Sequence, residues 1–246
     1  MNKAVKVLAT TDELVRAATE RIATVAIESA AANGRAMIAL SGGSTPRNVY
    51  KLMGSGEFKT RIPWSALHLF WSDERCVPPD HAESNFRMVK EALLETVDMP
   101  SSNVHRIQAE RSPSEAAHFY EEELRQAFGL QDDATPRFDL MLLGLGEDGH
   151  TASLFPGTTA LHEQERLVTE LYVDKLKTHR ITMTYPMINA AKNVLFLVSG
   201  KSKAAILHEV LQRDSLKYPA QGVHPVEGEL CWMIDHDASS QINMAK

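Results

Sequence analysis

Short, continuous apolar runs alternate along this chain with segments of helical periodicity. A continuous apolar run bounded by polar loops is typical of a strand that is buried on both faces, as in a parallel sheet. The alternation therefore predicts an α/β fold, with a mostly parallel sheet and helices on both of its faces. The predicted strands are 36–40, 67–71, 138–144, 180–185, 193–200 and 229–234.

Helical periodicity covers most of the segments between these runs. From residue 12 to residue 32, apolar residues recur on one helical face, Thr10 and Glu13 fit a capping box, and Gly34 fits the helix end. The other predicted helices are 47–53, 84–97, 113–128, 186–191 and 201–212. Because no repeat, low-complexity segment or linker separates these elements, residues 1–246 are expected to form a single domain.

Composition narrows the class of protein. The 246 residues are 43% hydrophobic and 24% charged, as in a soluble globular protein with a sizeable core. A net charge of −6 argues against nucleic acid as a partner, because nucleic-acid binders usually carry a basic patch. No apolar segment approaches the roughly 20 residues of a membrane span, and the first residues lack the apolar core of a signal peptide. Cys76 and Cys231 lack metal-type spacing and fit a reducing compartment, so a cytoplasmic location without a membrane partner is expected.

Polar loops follow several of the predicted strands directly. SGGST follows the run that ends at Leu40, SDER follows Trp71, GEDGH follows the run 138–144, and SGKSK follows Val198. In open α/β sheets, ligands bind outside the carboxyl ends of the strands. Because these ends meet at one edge of a parallel sheet, the loops are expected to form a single site.

The loop SGGST contains Gly42, Gly43, Ser44 and Thr45. Unpaired N–H groups and the positive end of the helix dipole make a helix start a natural anion site, and the two hydroxyls add donors. The same residues also fit an ordinary turn, in which glycine supplies a positive φ and Ser44 or Thr45 caps a helix that starts with Pro46. The Walker A spacing is absent, which argues against a nucleoside triphosphate, and G-x-G-x-x-G is absent as well.

The loop SDER contributes Asp73 and Arg75. Arg75 could clamp a phosphate or carboxylate with two parallel hydrogen bonds, and Asp73 could orient it or polarise a ligand hydroxyl. The alternative is a surface ion pair of Arg75 with Asp73 or Glu74. Farther along, Ser84 and Asn85 fit the cap of a helix, although Asn85 could also turn toward the site.

The loop GEDGH contributes Asp148 and His150, with glycines that let the backbone approach a ligand. The unperturbed pKa of histidine lies near neutrality, so His150 could both take and give a proton, and Asp148 could orient or tune it. No G-x-S-x-G elbow is present, which disfavours a serine hydrolase of the α/β-hydrolase pattern. No H-E-x-x-H or comparable spacing is present either, so no metal is expected.

Arg180 and Lys203 are further cations near strand ends. Arg180 begins one late strand, and Lys203 lies in the first turn after another, where a lysine can reach a phosphate as a point charge. Each of them also fits an ordinary solvated cation, and the residues alone leave both interpretations open.

Together these motifs resemble the 6-phosphogluconolactonase family, within the wider group that includes glucosamine-6-phosphate isomerase/deaminase. The matching stretches are 40–46, 70–85 with WSDERCV and ESN, 138–157 with FDLMLLGLGEDGHTASLFPG, and 180–203 with RITMTY and VLFLVSGKSK. The resemblance implies a Rossmann-like α/β domain that hydrolyses 6-phosphoglucono-δ-lactone to 6-phosphogluconate in the oxidative pentose phosphate pathway. It implies no metal and no organic cofactor.

The resemblance also assigns roles to the residues of the motifs. The substrate phosphate is expected on the glycine loop, His150 is expected to act as general base and acid, and Asp148 and Asp73 are expected to orient the histidine or the sugar. Arg180 or a backbone amide is a candidate for stabilising the oxyanion. The substrate-binding residues expected on this basis are Gly42, Gly43, Ser44, Thr45, Arg75, Arg180 and Lys203.

Two other functions are weighed against this one. The deaminases resemble this chain in the glycine loop and in D-G-H, but a glutamate of their F-N-E-P run stands where Phe155 aligns here, and they typically carry tyrosine in place of Arg75. An isomerase/deaminase is therefore the second hypothesis. A non-catalytic sugar-phosphate sensor is the third, and it explains the anion loop but not an acid/base histidine.

Overall fold

The structure, a computed structural model, describes residues 2–130, 134–213 and 217–243. Its strands are β1 (Asn2–Leu8), β2 (Ala36–Leu40), β3 (Leu67–Trp71), β4 (Asp73–Arg75), β5 (Val104–His105), β6 (Leu140–Leu143), β7 (Val168–Val173), β8 (Thr178–Met183), β9 (Asn193–Val198) and β10 (Glu229–Asp235). Its α-helices are α1 (Thr11–Asn33), α2 (Ser44–Met53), α3 (Gly56–Arg61), α4 (Asn85–Val89), α5 (Pro113–Phe128), α6 (Tyr185–Asn189) and α7 (Ala204–Gln212).

A seven-stranded sheet in the order β1-β10-β9-β6-β2-β3-β5 forms the centre of the molecule. All of its strand pairs are parallel. β2 and β6 are buried over their whole length, and β3 and β9 are buried at all but one position each. This confirms the predicted α/β fold and explains why these strands read as continuous apolar runs rather than as alternating ones.

A second sheet, with the order β4-β8-β7, is antiparallel. The strand predicted at 180–185 belongs to this sheet as β8, so it is not part of the parallel layer. β4 follows β3 after Ser72 alone, and Met183 donates its N–H to the Ser72 carbonyl at 2.8 Å. The small sheet is therefore attached at the carboxyl end of β3.

Several predicted helix boundaries are confirmed. Thr10 is the N-cap of α1 and accepts from the Glu13 N–H, and Gly34 ends the helix in the left-handed region with φ 74°. Glu13 completes its box with the N–H of Ala9 instead of that of Thr10. Ser84 caps α4, but the helix predicted over 84–97 changes to a wider π turn at Lys90–Leu94.

The predicted start of α2 is wrong. Its N-cap is Gly43, with φ 111°, and no side chain caps it, so neither Ser44 nor Thr45 is the capping hydroxyl and Pro46 is not the first helical residue. The helix begins at Ser44, three positions before the predicted residue 47. Likewise, the predicted helix 201–212 opens with a 3₁₀ turn, Lys201–Lys203, before α7.

Two buried tyrosines hold the ends of β2 and β3. The Tyr50 hydroxyl accepts from the Ser41 N–H at 3.0 Å and donates to the Ser41 carbonyl at 2.8 Å. Tyr120 makes the same pair of bonds with the backbone of Trp71, at 2.8 and 3.0 Å. Side chains of α2 and α5 thus provide hydrogen-bond partners for buried backbone groups at the ends of β2 and β3, and buried backbone groups need such partners.

The order of strands sets the position of the polar loops. β9, β6, β2 and β3 are consecutive neighbours, so the loops that follow them adjoin at the carboxyl edge of the sheet. β3 lies on one side of β2 and β6 lies on the other, which makes this a point where the direction of strand addition reverses. Ligands of open α/β sheets bind at such points. In the described ranges no helix has the length and apolar character needed to cross a membrane.

Candidate active site

A cavity of about 360 Å³ opens at this edge of the sheet. It brings together residues from loops that are far apart in sequence. Every predicted site residue lies on its wall except Asp148, which lies behind His150. Those on the wall are Gly42, Gly43, Ser44, Thr45, Asp73, Arg75, His150, Arg180 and Lys203.

A larger groove of about 770 Å³ lies against α6 and is lined mainly by apolar and aromatic side chains. It contains none of the strand-end loops, and Arg137 on its rim is already engaged by Glu227. The smaller cavity is therefore the candidate active site, because it alone of the two gathers the glycine loop and the titratable residues of the other strand-end loops.

The glycine loop supplies backbone donors to the cavity. The N–H groups in the first turn of a helix have no partner within the helix, so those of Ser44 and Thr45 are available to an anion. The Thr45 and Ser199 hydroxyls lie 2.6 Å apart and join this loop to the loop after β9. Gly42 packs directly on Asn85, since a Cβ there would lie 2.1 Å from Asn85 Oδ1.

His150 is held by its own loop. The Gly146 N–H donates to the His150 carbonyl at 2.8 Å, and Gly149 takes φ 78°, which glycine adopts without strain. The His150 Nδ1 and Asp148 Oδ1 atoms are 2.5 Å apart, so Nδ1–H donates to the carboxylate. The other ring nitrogen, Nε2, then carries the lone pair and is free to act on a ligand.

The environment of His150 keeps the ring neutral. Burial lowers the pKa of His150 to about 4; the charge of Asp73 opposes this shift, and nearby cations add to it. The ring also lies on Phe155, with centroids 4.1 Å apart. At neutral pH the side chain is therefore an unprotonated base with a fixed tautomer.

Arg75 and Arg180 stand directly opposite each other across the β4–β8 pair. Like charges at opposed positions destabilise a sheet. Burial and the charge of Arg75 lower the pKa of Arg180. Arg75 donates to the Glu83 carbonyl at 2.5 Å, and Arg180 donates to Thr178 Oγ1 and the His179 carbonyl, so the side-chain hydrogen bonds of both guanidinium groups within the described ranges go to neutral oxygens.

No carboxylate among the described residues forms a salt bridge with Arg75, Arg180 or Lys203. The alternative of a surface ion pair between Arg75 and its neighbours is therefore wrong. Glu74 accepts from the backbone N–H of Arg75 and leaves the guanidinium alone. Cations that lack carboxylate partners in one cavity of an acidic protein are suited to binding an anion.

Asp73 is buried and faces the cations from the same wall. Its Oδ2 accepts from Ser153 Oγ at 2.6 Å, and its Oδ1 accepts from Asn85 Nδ2 at 3.3 Å. Asn85 Nδ2 also donates to the Asp73 carbonyl at 3.0 Å. The alternative that Asn85 turns toward the site is confirmed, and its side chain lines the cavity.

Lys175 is a site neighbour that the sequence did not indicate. It lies in the turn between β7 and β8, contacts Asp148 Oδ2, and places its ammonium 4.8 Å from the centroid of the Phe155 ring. Leu176 of the same turn lines the cavity. A lysine in a polar turn does not indicate a role in the site from sequence alone, because only the strand pairing of the second sheet brings this turn over the D-G-H loop.

The charged groups of the cavity do not resemble a metal centre. In the ranges that the structure describes, no cluster of three or more His, Cys, Asp or Glu side chains could hold a metal ion. The arrangement combines an anion-binding loop, unpaired cations and a neutral histidine. It is suited to proton transfer on a small anionic substrate.

Comparison with known proteins agrees with this arrangement. The family described as glucosamine-6-phosphate isomerases/6-phosphogluconolactonase matches residues 9–232. A 6-phosphogluconolactonase of Synechocystis sp. is 41% identical over 97% of this chain and 98% of its own length. A 6-phosphogluconolactonase of Nostoc sp. is 39% identical over 99% of this chain and its full length, 100%. The crystal structure of 6-phosphogluconolactonase from Thermotoga maritima superposes with a TM-score of 0.82, at 33% identity, over 95% of this chain and 100% of that one. With a family match over most of its length and relatives at 39% and 41% identity, this chain belongs to the glucosamine-6-phosphate isomerase/6-phosphogluconolactonase family.

Proposed function

We propose that this chain hydrolyses 6-phosphoglucono-δ-lactone to 6-phosphogluconate, a step of the oxidative pentose phosphate pathway. The curated relatives carry the name of this activity. The observation that carries the proposal is the set of cations without carboxylate partners, Arg75, Arg180 and Lys203, around a cavity that also holds a neutral His150. A phosphorylated lactone supplies both the anion that these cations lack and an ester carbonyl for the histidine.

The phosphate docks at the start of α2. The N–H groups of Ser44 and Thr45 point to it, and Lys203 approaches it from the loop after β9, which the Thr45–Ser199 contact holds against the glycine loop. Arg75 supplies further positive charge from β4. Binding energy at this remote phosphate positions the lactone for reaction, which is how an enzyme uses contacts away from the reacting atoms.

His150 then activates water. Its Nε2 removes a proton as the water oxygen bonds to the lactone carbonyl carbon, and Asp148 stabilises the imidazolium that forms. The carbonyl oxygen becomes an oxyanion, for which Arg180 is the nearest buried cation of β8. A single preorganised donor at such an oxyanion is typically worth about 3–4 kcal/mol.

The intermediate collapses when the bond from the carbonyl carbon to the ring oxygen breaks. The imidazolium of His150 returns its proton to that oxygen, which becomes a hydroxyl group of the product, and the new carboxylic acid loses its proton to solvent. Asp73, held by Ser153 and Asn85, accepts hydrogen bonds from sugar hydroxyls. His150 thus finishes the cycle in the neutral form in which it began.

The domain and its location belong to the same proposal. Residues 1–246 act as a single phosphosugar-lactonase domain in the cytoplasm, with the lactone rather than nucleic acid as partner. Cys76 and Cys231 are both free thiols in the structure, which supports a reducing compartment.

The deciding experiment follows freshly generated 6-phosphogluconolactone with and without the protein, because this lactone also hydrolyses spontaneously. We expect rapid acid release above the spontaneous rate, and much slower turnover of unphosphorylated gluconolactone. Equal kcat/KM for the two lactones would show that the glycine loop and its cations do not bind phosphate.

The same assay separates the deaminase hypothesis. Deamination of glucosamine 6-phosphate needs a proton relay for ring opening, and Phe155 places an apolar ring against His150 at the position of the deaminase glutamate. We expect no ammonia from glucosamine 6-phosphate under conditions that consume the lactone. Ammonia release without lactone hydrolysis would replace the proposed function with the second hypothesis.

A further inference from the structure

Glu74 is a buried carboxyl group for which the reaction above has no use. It is 2% exposed and lies between Asp73 and Arg75 on β4. Successive side chains of a strand point to opposite faces. Asp73 and Arg75 therefore face the cavity, while Glu74 points away from it, toward the segment that returns along 83–86.

The Glu74 carboxylate collects donors from that returning segment. Oε1 accepts from the N–H of Arg75 at 2.8 Å and from the N–H of Asn85 at 2.7 Å. Oε2 accepts from the N–H of Phe86 at 2.8 Å and from Ser84 Oγ at 3.0 Å. Burial raises the pKa of Glu74, and the backbone donors oppose that shift by favouring the ionised form.

These bonds set the position of Asn85. Its backbone N–H is fixed by Glu74, and its side chain then reaches across β4 to the Asp73 carbonyl and carboxylate. The same side chain fills the space beside Gly42. The segment also presents the Glu83 carbonyl to the Arg75 guanidinium. Glu74 lies outside the cavity and thus holds the segment that carries the hydrogen-bond partners of Asp73 and Arg75, which line the cavity.

We propose that Glu74 is a positioning residue for the active site, acting through Asn85 on Asp73 and on the glycine loop. The inference rests on the proposed lactonase function for its kinetic readout. Glu74 touches neither the cavity nor the substrate. Its role is to hold the backbone of 84–86 so that the amide of Asn85 meets Asp73.

The test compares Glu74→Gln with Ser84→Ala. Glutamine keeps the size of the side chain but turns an amide NH₂ toward donors that need an acceptor. Ser84→Ala removes one donor to Glu74 and the helix cap, since Ser84 Oγ also accepts from the Arg87 N–H. It leaves the Glu74–Asn85 bond in place and is therefore the matched control for a loss of stability alone.

For Glu74→Gln we expect kcat/KM to fall about 10- to 100-fold, the range that follows from misplacing groups in an active site by an ångström or less. Measured well below the unfolding midpoint, Ser84→Ala is expected to keep kcat and KM within about twofold of the parent, although its midpoint falls. Parent kinetics for Glu74→Gln, or equal kinetic losses in both variants, would overturn the inference.

A double variant tests the route through Asn85. If Glu74 acts through that residue, Glu74→Gln combined with Asn85→Ala is expected to be no slower than the slower single variant, within about twofold, because coupled sites are not additive. Losses that multiply would show two independent roles and overturn the proposed route.

Amide hydrogen exchange tests, independently of turnover, whether Glu74 holds the backbone of Asn85 and Phe86. In Glu74→Gln the N–H groups of Asn85 and Phe86 are expected to exchange faster than in the parent, and in Ser84→Ala they are expected to stay protected. Unchanged protection in Glu74→Gln would overturn the inference. A parent protein without lactone hydrolysis would remove the proposed function only, and the exchange comparison would still decide the role of Glu74.

Discussion

The two sheets build the cavity in different ways. The parallel sheet contributes loops, which supply backbone amides, small hydroxyls and the D-G-H histidine after β2 and β6. The antiparallel sheet contributes side chains that stand on the strands themselves, with Arg75 and Arg180 opposed in register. The first contribution places weak dipoles at no electrostatic cost, and the second places full positive charges that repel each other across the β4–β8 pair.

This difference shows where binding and stability conflict. Helix-start amides and glycine turns satisfy an anion without destabilising the free protein. Opposed arginines with neutral hydrogen-bond partners repel each other in the free protein. In the proposed function, the parallel-sheet part supplies the general base and the helix-start amides for the phosphate, and the antiparallel part supplies full charges, from Arg75 for the phosphate and from Arg180 for the oxyanion.

The largest expected effect comes from the parallel-sheet part. His150→Ala removes the general base and acid, so we expect kcat to fall about 10²–10⁴-fold in a protein that stays folded. The measurement is steady-state hydrolysis of 6-phosphogluconolactone, with circular dichroism to verify folding. His118→Ala, on the exposed face of α5, is the control and should change nothing. Near-parent kcat in folded His150→Ala would exclude the histidine from the mechanism.

The second prediction concerns the protonation of His150. Because burial lowers its pKa to about 4, the ring should stay neutral as the pH falls through 6.5 and should protonate only near the lower value. An NMR titration of the imidazole in the free protein measures this directly. The base form is thus retained at mildly acidic pH, and activity is expected to fall only as the pH approaches 4. A midpoint at or above 6.5 would contradict the buried, neutral state of the ring.

The third prediction tests the opposed arginines. Arg75→Met should raise KM for the phosphorylated lactone about 10- to 100-fold, since a hydrogen bond to a charged group is worth roughly 1.5–3 kcal/mol. It should leave the unfolding midpoint unchanged or higher, because the repulsion with Arg180 is gone. Arg166→Met, beside the same sheet but paired with Glu170, is the control and should leave KM unchanged. A clear loss of stability in Arg75→Met would show that the pair is structural.

The smallest effect is expected at the turn between β7 and β8. Lys175→Gln removes the cation that contacts Asp148, so the carboxylate should hold the imidazolium better and the titration midpoint of His150 should rise by less than about one unit. Lys177→Gln, in the same turn, is the matched control and should not move it. A rise of the same size in both variants would assign the effect to general charge instead of to the Lys175–Asp148 contact.

The sequence predicted the parallel layer well because burial on both faces leaves a continuous apolar run. It did not predict β1, which lies at the edge of the sheet with β10 as its neighbour and does not read as a continuous apolar run. It also did not predict the antiparallel sheet, because β4 and β7 acquire their structure only by pairing with β8. Local patterns carry no information on such distant pairings.

The same limit applies to the site. Asp73, Arg75 and His150 were indicated because they follow apolar strands, and the structure places them on one cavity wall. The start of α2 was predicted too late because the hydroxyl-proline pattern suggested a side-chain cap, whereas the N-cap is Gly43, whose positive φ forms the turn without a capping side chain. Lys175 was not indicated, since it gains its partner Asp148 only through tertiary packing.

Because of the opposed arginines, the stability of the folded protein should depend on the anions in the surrounding solution. Any ion that binds the folded cavity but not the unfolded chain raises the free energy of unfolding, by about 2.7 kcal/mol when its concentration is 100 times its Kd. Inorganic phosphate and sulfate have the charge and size to occupy the proposed place of the substrate phosphate at the start of α2, near Lys203 and Arg75. The heat resistance of this enzyme should therefore depend on the choice of buffer anion, and a phosphate buffer would act on it as a competing inhibitor and as a stabiliser at once.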